Sequence, residues 1–500
     1  MRDKQYVLER VDALRAQNSG YLTDRRRIRS IMNGGAEGIA AIMAWDTGKG
    51  SSSGGANSNA NSFGSDLPAA NYMASGVERL AQKVGQPPAL KMPYGHRDSQ
   101  SAREAGEKRE RIVKGWDHMS RLDLQFPQIG RWLPGYGYFS WVVRPRRDPV
   151  TRQLWPHAEL RDSYDTWPGF FGPNQQPHEV AYVRSVPLAA LKQVYPDIDW
   201  EAHIRSRKPK PPLTIRGSGA RITLDMTAAD ARWEGNGGGT QIVEFFDDTG
   251  IYICAPEFEL TLDYIPNPCE TGPLFVVGKR VSFDRLMGQY NHVIGMMGIM
   301  AKLNVLSLIA AEDSVFRETN IIGELEGNTY ERGRFAVNVL TRGSEVARPT
   351  GENNAQLFAQ IDRLERQLRI GAAYDQGSDS LAARGGFITG QGQRELRDPI
   401  DANIGEYQRV IADAVETLDT RRLEWEEKTE KSKRKRVFWI EGDRLGAENY
   451  VPKTDIGGNW RSRRVYGMMA GWDESTKIVG GLQLLQGHLI DRTTMQENLH

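Results

Sequence analysis

The segment Ser282–Glu312, SFDRLMGQYNHVIGMMGIMAKLNVLSLIAAE, decides how the rest of the chain is read. Phe283, Leu286, Tyr290, Val293, Met297 and Met300 recur at alternating steps of three and four, which places them on one face of a helix. Gly288, Gly295 and Gly298 lie beside that stripe. Each costs about 1 kcal/mol relative to alanine inside a helix, so they imply grooves where another backbone comes close. After this helix, Asp313–Pro349 is charged and partly strand-like. A second helix, Asn353–Ile370, carries Leu357, Ile361, Leu364 and Leu368 at helical spacing. Gly371–Glu395 is rich in Gly, Ser, Asp and Gln and reads as a loop, and a long helix follows from about Ile400 to Lys428.

Upstream, Gln5–Asn33 is an amphipathic helix with Val7, Leu8, Val11 and Leu14 on one face. The basic cluster Arg25, Arg26, Arg27 and Arg29 near its end reads as a solvated face. Asp46–Asp66 is a Gly/Ser/Asn insertion. Its Gly48–Lys49–Gly50 is no phosphate loop, because no hydroxyl residue follows the lysine and Met43 stands where the first glycine belongs. Asn71–Val84 and Arg103–Gln125 read as helices, separated by a proline-containing connector, Gly85–Pro93. Between Gly135 and Arg280 the pattern changes to short strands: Tyr136–Pro145, Gln153–Leu160, Val180–Val186, Gln241–Phe246, Ile251–Pro256 and Pro273–Val277. A turn at Asp148–Gln153 and a helix at Leu188–Val194 fall among them. Lys431–Arg436 (KSKRKR) reads as exposed charge, and Tyr466–Asn498 as helical, with Asp473 and Asp491 as caps.

Five hundred residues exceed what one core accommodates. Lys and Arg number 65 against 64 acidic residues, so a surface that grips nucleic acid throughout is excluded. The two cysteines, Cys254 and Cys269, make no disulfide framework or zinc motif and read as reduced thiols. Met1–Asn18 is charged and unlike a signal peptide, and the apolar run Val293–Ala311 is broken by Lys302 and Asn304, which argues against a membrane span. No hydrolase, zincin, phosphate-loop or kinase signature is present, and the eight histidines are scattered, so no enzyme is expected and no catalytic, cofactor or metal residue is assigned. Asp247–Asp248 falls at a turn and Glu426–Glu427 on a helix surface. Asp375 and Asp379 lack the spaced carboxylates of a calcium loop. The twelve tryptophans are dispersed and build no base-stacking platform.

The order of parts resembles the portal proteins of tailed double-stranded DNA phages, especially siphophages. An α/β domain is followed by a helix, a charged insert, a second helix, a loop, a long helix and a helical end. Three local features add to the likeness: the helix and Pro-Pro connector in Leu67–Leu90, the Gln289–Tyr290–Asn291 pattern within Ser282–Asn291, and the ending Gly487–Asn498, GHLIDRTTMQEN. The resemblance implies an α+β, portal-like fold. Residues 1–281 would be N-terminal helices and a mixed α/β wing. Residues 282–312 would be the stem helix, 313–350 a small α/β clip and 351–372 the second stem helix. Residues 373–395 would be the channel loop, 396–430 the long wing helix and 431–500 the C-terminal part and crown.

By the same resemblance Leu286, Tyr290, Val293, Met297 and Met300 pack the stem. Arg317, Glu318, Glu324, Glu326, Glu331, Arg332 and Arg334 face partners from the clip. Asp375, Gln376, Ser378, Asp379, Arg384, Phe387, Thr389 and Gln391 face DNA from the channel loop. The implied assembly is a ring of about twelve copies at one capsid vertex, through which DNA is packaged and ejected. Its implied partners are double-stranded DNA, the large terminase, head-tail connector or adaptor proteins, and the major capsid and scaffold proteins. No membrane or cofactor is implied, and the expected location is the virion, after assembly in the host cytoplasm. Two other classes remain open: a ring or tail structural protein that is no portal, and a nucleic-acid-processing enzyme.

Overall fold

The computed structural model describes residues 4–33, 72–93, 100–148, 152–169, 176–200, 214–217, 220–223, 239–258, 260–282, 285–297, 299–300, 303–304, 307, 320–322, 345–347, 355–371, 390–441, 444–466 and 485–486. In chain order the elements are α1 (Lys4–Asn33), α2 (Tyr72–Val84), β1 (Ala89–Lys91), α3 (Gln100–Ser120), α4 (Leu122–Tyr136), β2 (Tyr138–Arg147), β3 (Leu154–Arg161), β4 (Thr166–Pro168), β5 (Val180–Pro187) and α5 (Leu188–Val194). Then come β6 (Thr214–Gly217), β7 (Ala220–Thr223), β8 (Gly239–Phe246), β9 (Gly250–Ala255), β10 (Leu260–Pro266), β11 (Phe275–Lys279), β12 (Val281–Ser282), β13 (Arg285–Leu286), β14 (Asn320–Ile322) and β15 (Glu345–Ala347). The remaining elements are α6 (Ala355–Gly371), α7 (Gly390–Thr429), β16 (Lys435–Glu441), β17 (Arg444–Tyr450), α8 (Pro452–Asp455) and β18 (Arg463–Val465). The fold is mixed α+β. No described helix is long and apolar enough to cross a membrane.

The chain divides into two compact units. One comprises Met1–Asn33, Tyr72–Asn291 and Gly377–His500, and the other Gly34–Asn71 and His292–Gln376. The first unit is therefore interrupted in sequence by the second.

Two antiparallel sheets organise the first unit, with strand orders β10-β9-β8-β5-β4 and β11-β2-β3. The five-stranded sheet is covered on both faces because its strands alternate. Val243, Phe245, Tyr252 and Cys254 point to Val7, Val11 and Leu14 of α1, whereas Ile242, Ile253 and Ala255 point to Leu191 of α5 and Trp200. The three-stranded sheet buries Tyr138, Phe139, Trp141 and Val142 against α2 and α4 and against Ile411, Ala414, Val415 and Leu418 of α7. At about 25 cal/mol per Å² of apolar surface, this largest cluster dominates the burial term of the unit. Trp116 of α3, Leu423 of α7 and Val437 and Tyr450 of the β16–β17 hairpin form a further core.

The six strands expected between residues 135 and 280 correspond to β2, β3, β5, β8, β9 and β11, and Leu188–Val194 is helical as expected, whereas β4, β6, β7 and β10 were not expected. Asp148 and Gln153 close the β2–β3 hairpin through a bond from Asp148 N to Gln153 O of 2.8 Å.

Several expectations are corrected. Arg103–Gln125 is two helices rather than one, because Arg121 adopts a left-handed φ of 50° that turns α3 into α4. The connector after α2 contains β1, which pairs with β18. The expected helix from Ser282 does not begin there. Val281–Ser282 pairs with Arg285–Leu286 in a short hairpin, residues 289–293 form turns, and the described helical residues start at 294. The long helix begins at Gly390, ten residues before Ile400, with Pro399 inside it. The strands β16, β17 and β18 were not expected after the long helix, and of the expected helical stretch Tyr466–Asn498 all but residues 466 and 485–486 lies outside the described residues.

Candidate functional site: the anchored strand before the inserted unit

The last residues of the first unit before the insertion are Tyr72–Asn291, and their end is tightly fixed. β12 and β13 bring Met287 and Gly288 against the end of α4. A Cβ on Gly288 would sit 2.1 Å from the carbonyl oxygen of Gly135, so only glycine permits this approach of two backbones. Facing it, Gly137 holds φ +81° and its backbone lies against Met287. The backbone follows the same path, since Gln289 N donates to Pro134 O at 2.7 Å and Arg280 N to Gly137 O at 2.7 Å.

Side chains complete the anchor. Tyr407, in α7, is fully buried, and its hydroxyl donates to Gln289 Oε1 at 2.8 Å. The same hydroxyl accepts from Arg280 Nη1 at 2.8 Å, and Arg280 Nε pairs with Glu406 at 3.1 Å. The Arg280 guanidinium also stands 5.1 Å from the Tyr407 ring centroid. Burial pushes the Tyr407 phenol up to about 12, so it remains a neutral donor throughout the physiological range. Arg280, Gln289 and Tyr407 thus tie the strand that precedes the insertion to the helix that follows it.

Farther along α7, buried charges are paired within the unit. Asp419 receives Arg464 through two bonds of 2.8 and 3.0 Å, and Arg422 donates to Asp117 Oδ1 at 2.6 Å. Arg464 also reaches Asp117 at 2.8 Å, closing a neutral quartet of two aspartates and two arginines. Burial alone would lower the pKa of Arg464, but Asp117 and Asp419 raise it; burial pushes the Asp419 carboxyl up, opposed by Arg464 and Arg422. Glu424 accepts from the backbone nitrogens of Glu270 and Thr271 at 2.7 and 3.1 Å and pairs with Lys428 at 2.8 Å. Burial opposes ionisation of Glu424, but these donors together hold its carboxyl below the usual range. On the five-stranded sheet, buried Glu244 gathers Arg144, Arg161 and Arg184 at 3.2, 2.8 and 3.0 Å.

Sequence reasoning missed most of these groups. Glu426, expected on a helix surface, is buried and paired with Lys435 at 2.7 Å. Lys435, expected in an exposed run, is 2% exposed. Arg25, expected on a solvated face, is buried with its guanidinium 4.4 Å from the Tyr138 ring. Spacing gave the one available signal: Glu416, Asp419, Arg422 and Glu426 recur on the α7 face that also carries Val415, Leu418 and Trp425. Asp247 does serve the turn assigned to it, accepting from the nitrogens of Thr249 and Gly250. Neither cysteine forms a disulfide, and both are buried.

The stem residues Leu286, Tyr290, Val293, Met297 and Met300 are all buried. However, Leu286 belongs to β13 and Tyr290 to a turn, so they do not form one helical stripe. The clip residues Arg317, Glu318, Glu324, Glu326, Glu331, Arg332 and Arg334 lie outside the described residues, as do Asp375, Gln376, Ser378, Asp379, Arg384, Phe387 and Thr389. Gln391 belongs to helix α7 rather than to a loop. Between the predicted clip ends, β14 and β15 pair antiparallel, with Ile321 opposite Val346. In α6, Asp362, Arg363, Arg366 and Gln367 are exposed while Leu368 is buried. Among the described residues, no three His, Cys, Asp or Glu side chains converge to hold a metal ion.

No protein-family model matches the chain. No curated protein sequence matches it either.

Proposed function

We propose that this chain is the subunit of a portal-type ring, a channel that conducts double-stranded DNA at one capsid vertex and acts as a conduit rather than a catalyst. The carrying observation is the order of the two units. A unit built on two sheets and a 40-residue helix is interrupted by a second unit, His292–Gln376. That second unit contains helical residues from 294, the strand pair β14–β15 and helix α6. A helix, a small strand pair and a helix inserted between a sheet domain and a long helix is the order expected of stem, clip, stem and wing helix. The anchor of Arg280, Gln289 and Tyr407 supports the reading mechanically: an inserted unit under load needs a rigid root, and bonds from both flanking segments meet at one phenol. Near-zero net charge also fits, since each fixed phosphate contact adds salt-dependent affinity that would hold DNA in place.

In this reading the clip residues dock the large terminase and, later, head-tail connector proteins. The scaffold and capsid proteins position the ring. Electron microscopy of the purified protein, with native mass spectrometry to count copies, is the test. A closed ring of about twelve subunits around a hole of roughly 20 Å is the expected result. A compact monomer that stays monomeric with capsid and scaffold proteins present would refute it.

A further inference from the structure

The β16–β17 hairpin has two unlike faces. On the inner face Lys435, Val437 and Tyr450 are buried against α3, where the Trp116 and Tyr450 rings meet edge to face at 6.4 Å. On the outer face the directly paired residues are Arg436 with Asn449, Phe438 with Ala447 and Ile440 with Leu445. Phe438, Ile440 and Leu445 are 39%, 44% and 71% exposed, three of the few large apolar side chains so exposed among the described residues. They are neighbours on one face, which separates them from a scattered surface leucine.

At the end where the chain enters β16, the patch is flanked by positive charge. In the run that enters β16, Lys433 pairs with Glu430 and Lys435 with Glu426, so those two are neutralised. Lys431, Arg434 and Arg436 are exposed and, among the described residues, make no ion pair. Arg436 lies 5.1 Å from the Phe438 ring centroid, joining the basic fringe to the apolar patch.

We infer that this hairpin face docks an acidic, amphipathic segment of a partner protein. Aliphatic residues of the segment cover Phe438, Ile440 and Leu445, and its carboxylates meet Lys431, Arg434 and Arg436. The aliphatic side chains favour protein over nucleic acid, because Ile440 and Leu445 offer no flat ring on which a base stacks. Ile440 lies six positions beyond Arg434, so an extended segment of about seven residues, at ~3.3 Å each, spans the surface. This surface is independent of the portal proposal.

The test uses the full chain and a labelled peptide of about twelve residues alternating leucine and glutamate, followed by fluorescence anisotropy. The expected result is saturable binding that weakens with added salt. Leu445→Ser weakens it by about tenfold, from the apolar surface lost at the contact. Arg434→Glu combined with Arg436→Glu also weakens it, and a peptide with lysine in place of glutamate does not bind. All three substitutions lie at exposed side chains, so unchanged thermal unfolding certifies the variants. The inference is overturned if the acidic peptide fails to bind, or if its binding ignores Leu445→Ser. It is equally overturned if duplex DNA, anionic vesicles or a second copy of the chain binds in a Leu445-dependent way and the acidic peptide does not.

Discussion

Replacing Tyr407 with phenylalanine removes one oxygen from a fully buried ring and leaves its packing against the core intact. Two hydrogen bonds disappear. The bond to Gln289 Oε1 joins neutral groups on two buried side chains, Gln289 being 7% exposed. The bond from Arg280 is charge-assisted, but that arginine is partly exposed and keeps Glu406, so water recovers part of its loss. A neutral hydrogen bond contributes about 1 kcal/mol and a charge-assisted one about 1.5–3, which partial exposure of the arginine reduces to about 1, giving roughly 2 kcal/mol for the pair. A chain of two units does not unfold in one step, so the assay must be local. Hydrogen exchange of a peptide covering residues 281–291 reports the bond from Gln289 N to Pro134 O. At about 1.4 kcal/mol per tenfold, the local opening constant rises by roughly 30-fold. A change of less than about threefold would show that the glycine contacts alone hold this strand and that the phenol is incidental.

Two further outcomes follow from the same reasoning. Gly405 lies within α7 with nothing near the position of an added Cβ, so Gly405→Ala raises stability by about 0.5–1 kcal/mol, read as a higher denaturation midpoint. Acidification destabilises the first unit in two stages, because two native groups resist protonation. His157 is held below its usual pKa, by burial first and then by Arg146 and Arg422, so stability falls as pH drops below about 6.5. Glu424 is held below its usual range by Lys428, Thr271 and the backbone donors, so its contribution is complete above about pH 4.3 and is lost as pH falls through the depressed native value. Glu424→Gln removes the second stage from a pH series of thermal unfolding and leaves the first.

The strands of the first unit were legible because both faces of the five-stranded sheet follow simple alternation, as Ile242, Val243, Glu244 and Phe245 illustrate. The hairpin β16–β17 was not, because its polarity is reversed. Lys435 goes inward and Phe438 and Ile440 go outward, so a run of cations hides the start of a strand. The Gly442–Asp443 pair in the sequence was the available signal. The stripe through Leu286, Tyr290, Val293, Met297 and Met300 identified buried residues correctly but for the wrong reason. Steps of three and four are shared by a helix and by a hairpin followed by turns, and Gly288, which permits contact with Gly135, was read as a helix groove. Arg121 turns a helix without any glycine or proline to mark it, and the long helix, expected only from about Ile400, runs through Pro399.

The distribution of charge explains why composition said so little about the site. A net charge of +1 suggests an evenly mixed surface. The structure instead places Asp117, Asp419, Arg422 and Arg464 in one buried, closed quartet, and pairs Glu426 with Lys435. Breaking such a set by removing one member costs about 3–5 kcal/mol, so these groups specify how α3, α7, β16 and β18 meet. They are therefore removed from the charge that a partner can feel. What remains exposed near the β16 strand is Lys431, Arg434 and Arg436, a local excess that the whole-chain balance conceals. For this chain, charge that acts on partners has to be counted after buried pairs are subtracted, and that subtraction turns a neutral protein into one with a defined basic and apolar face.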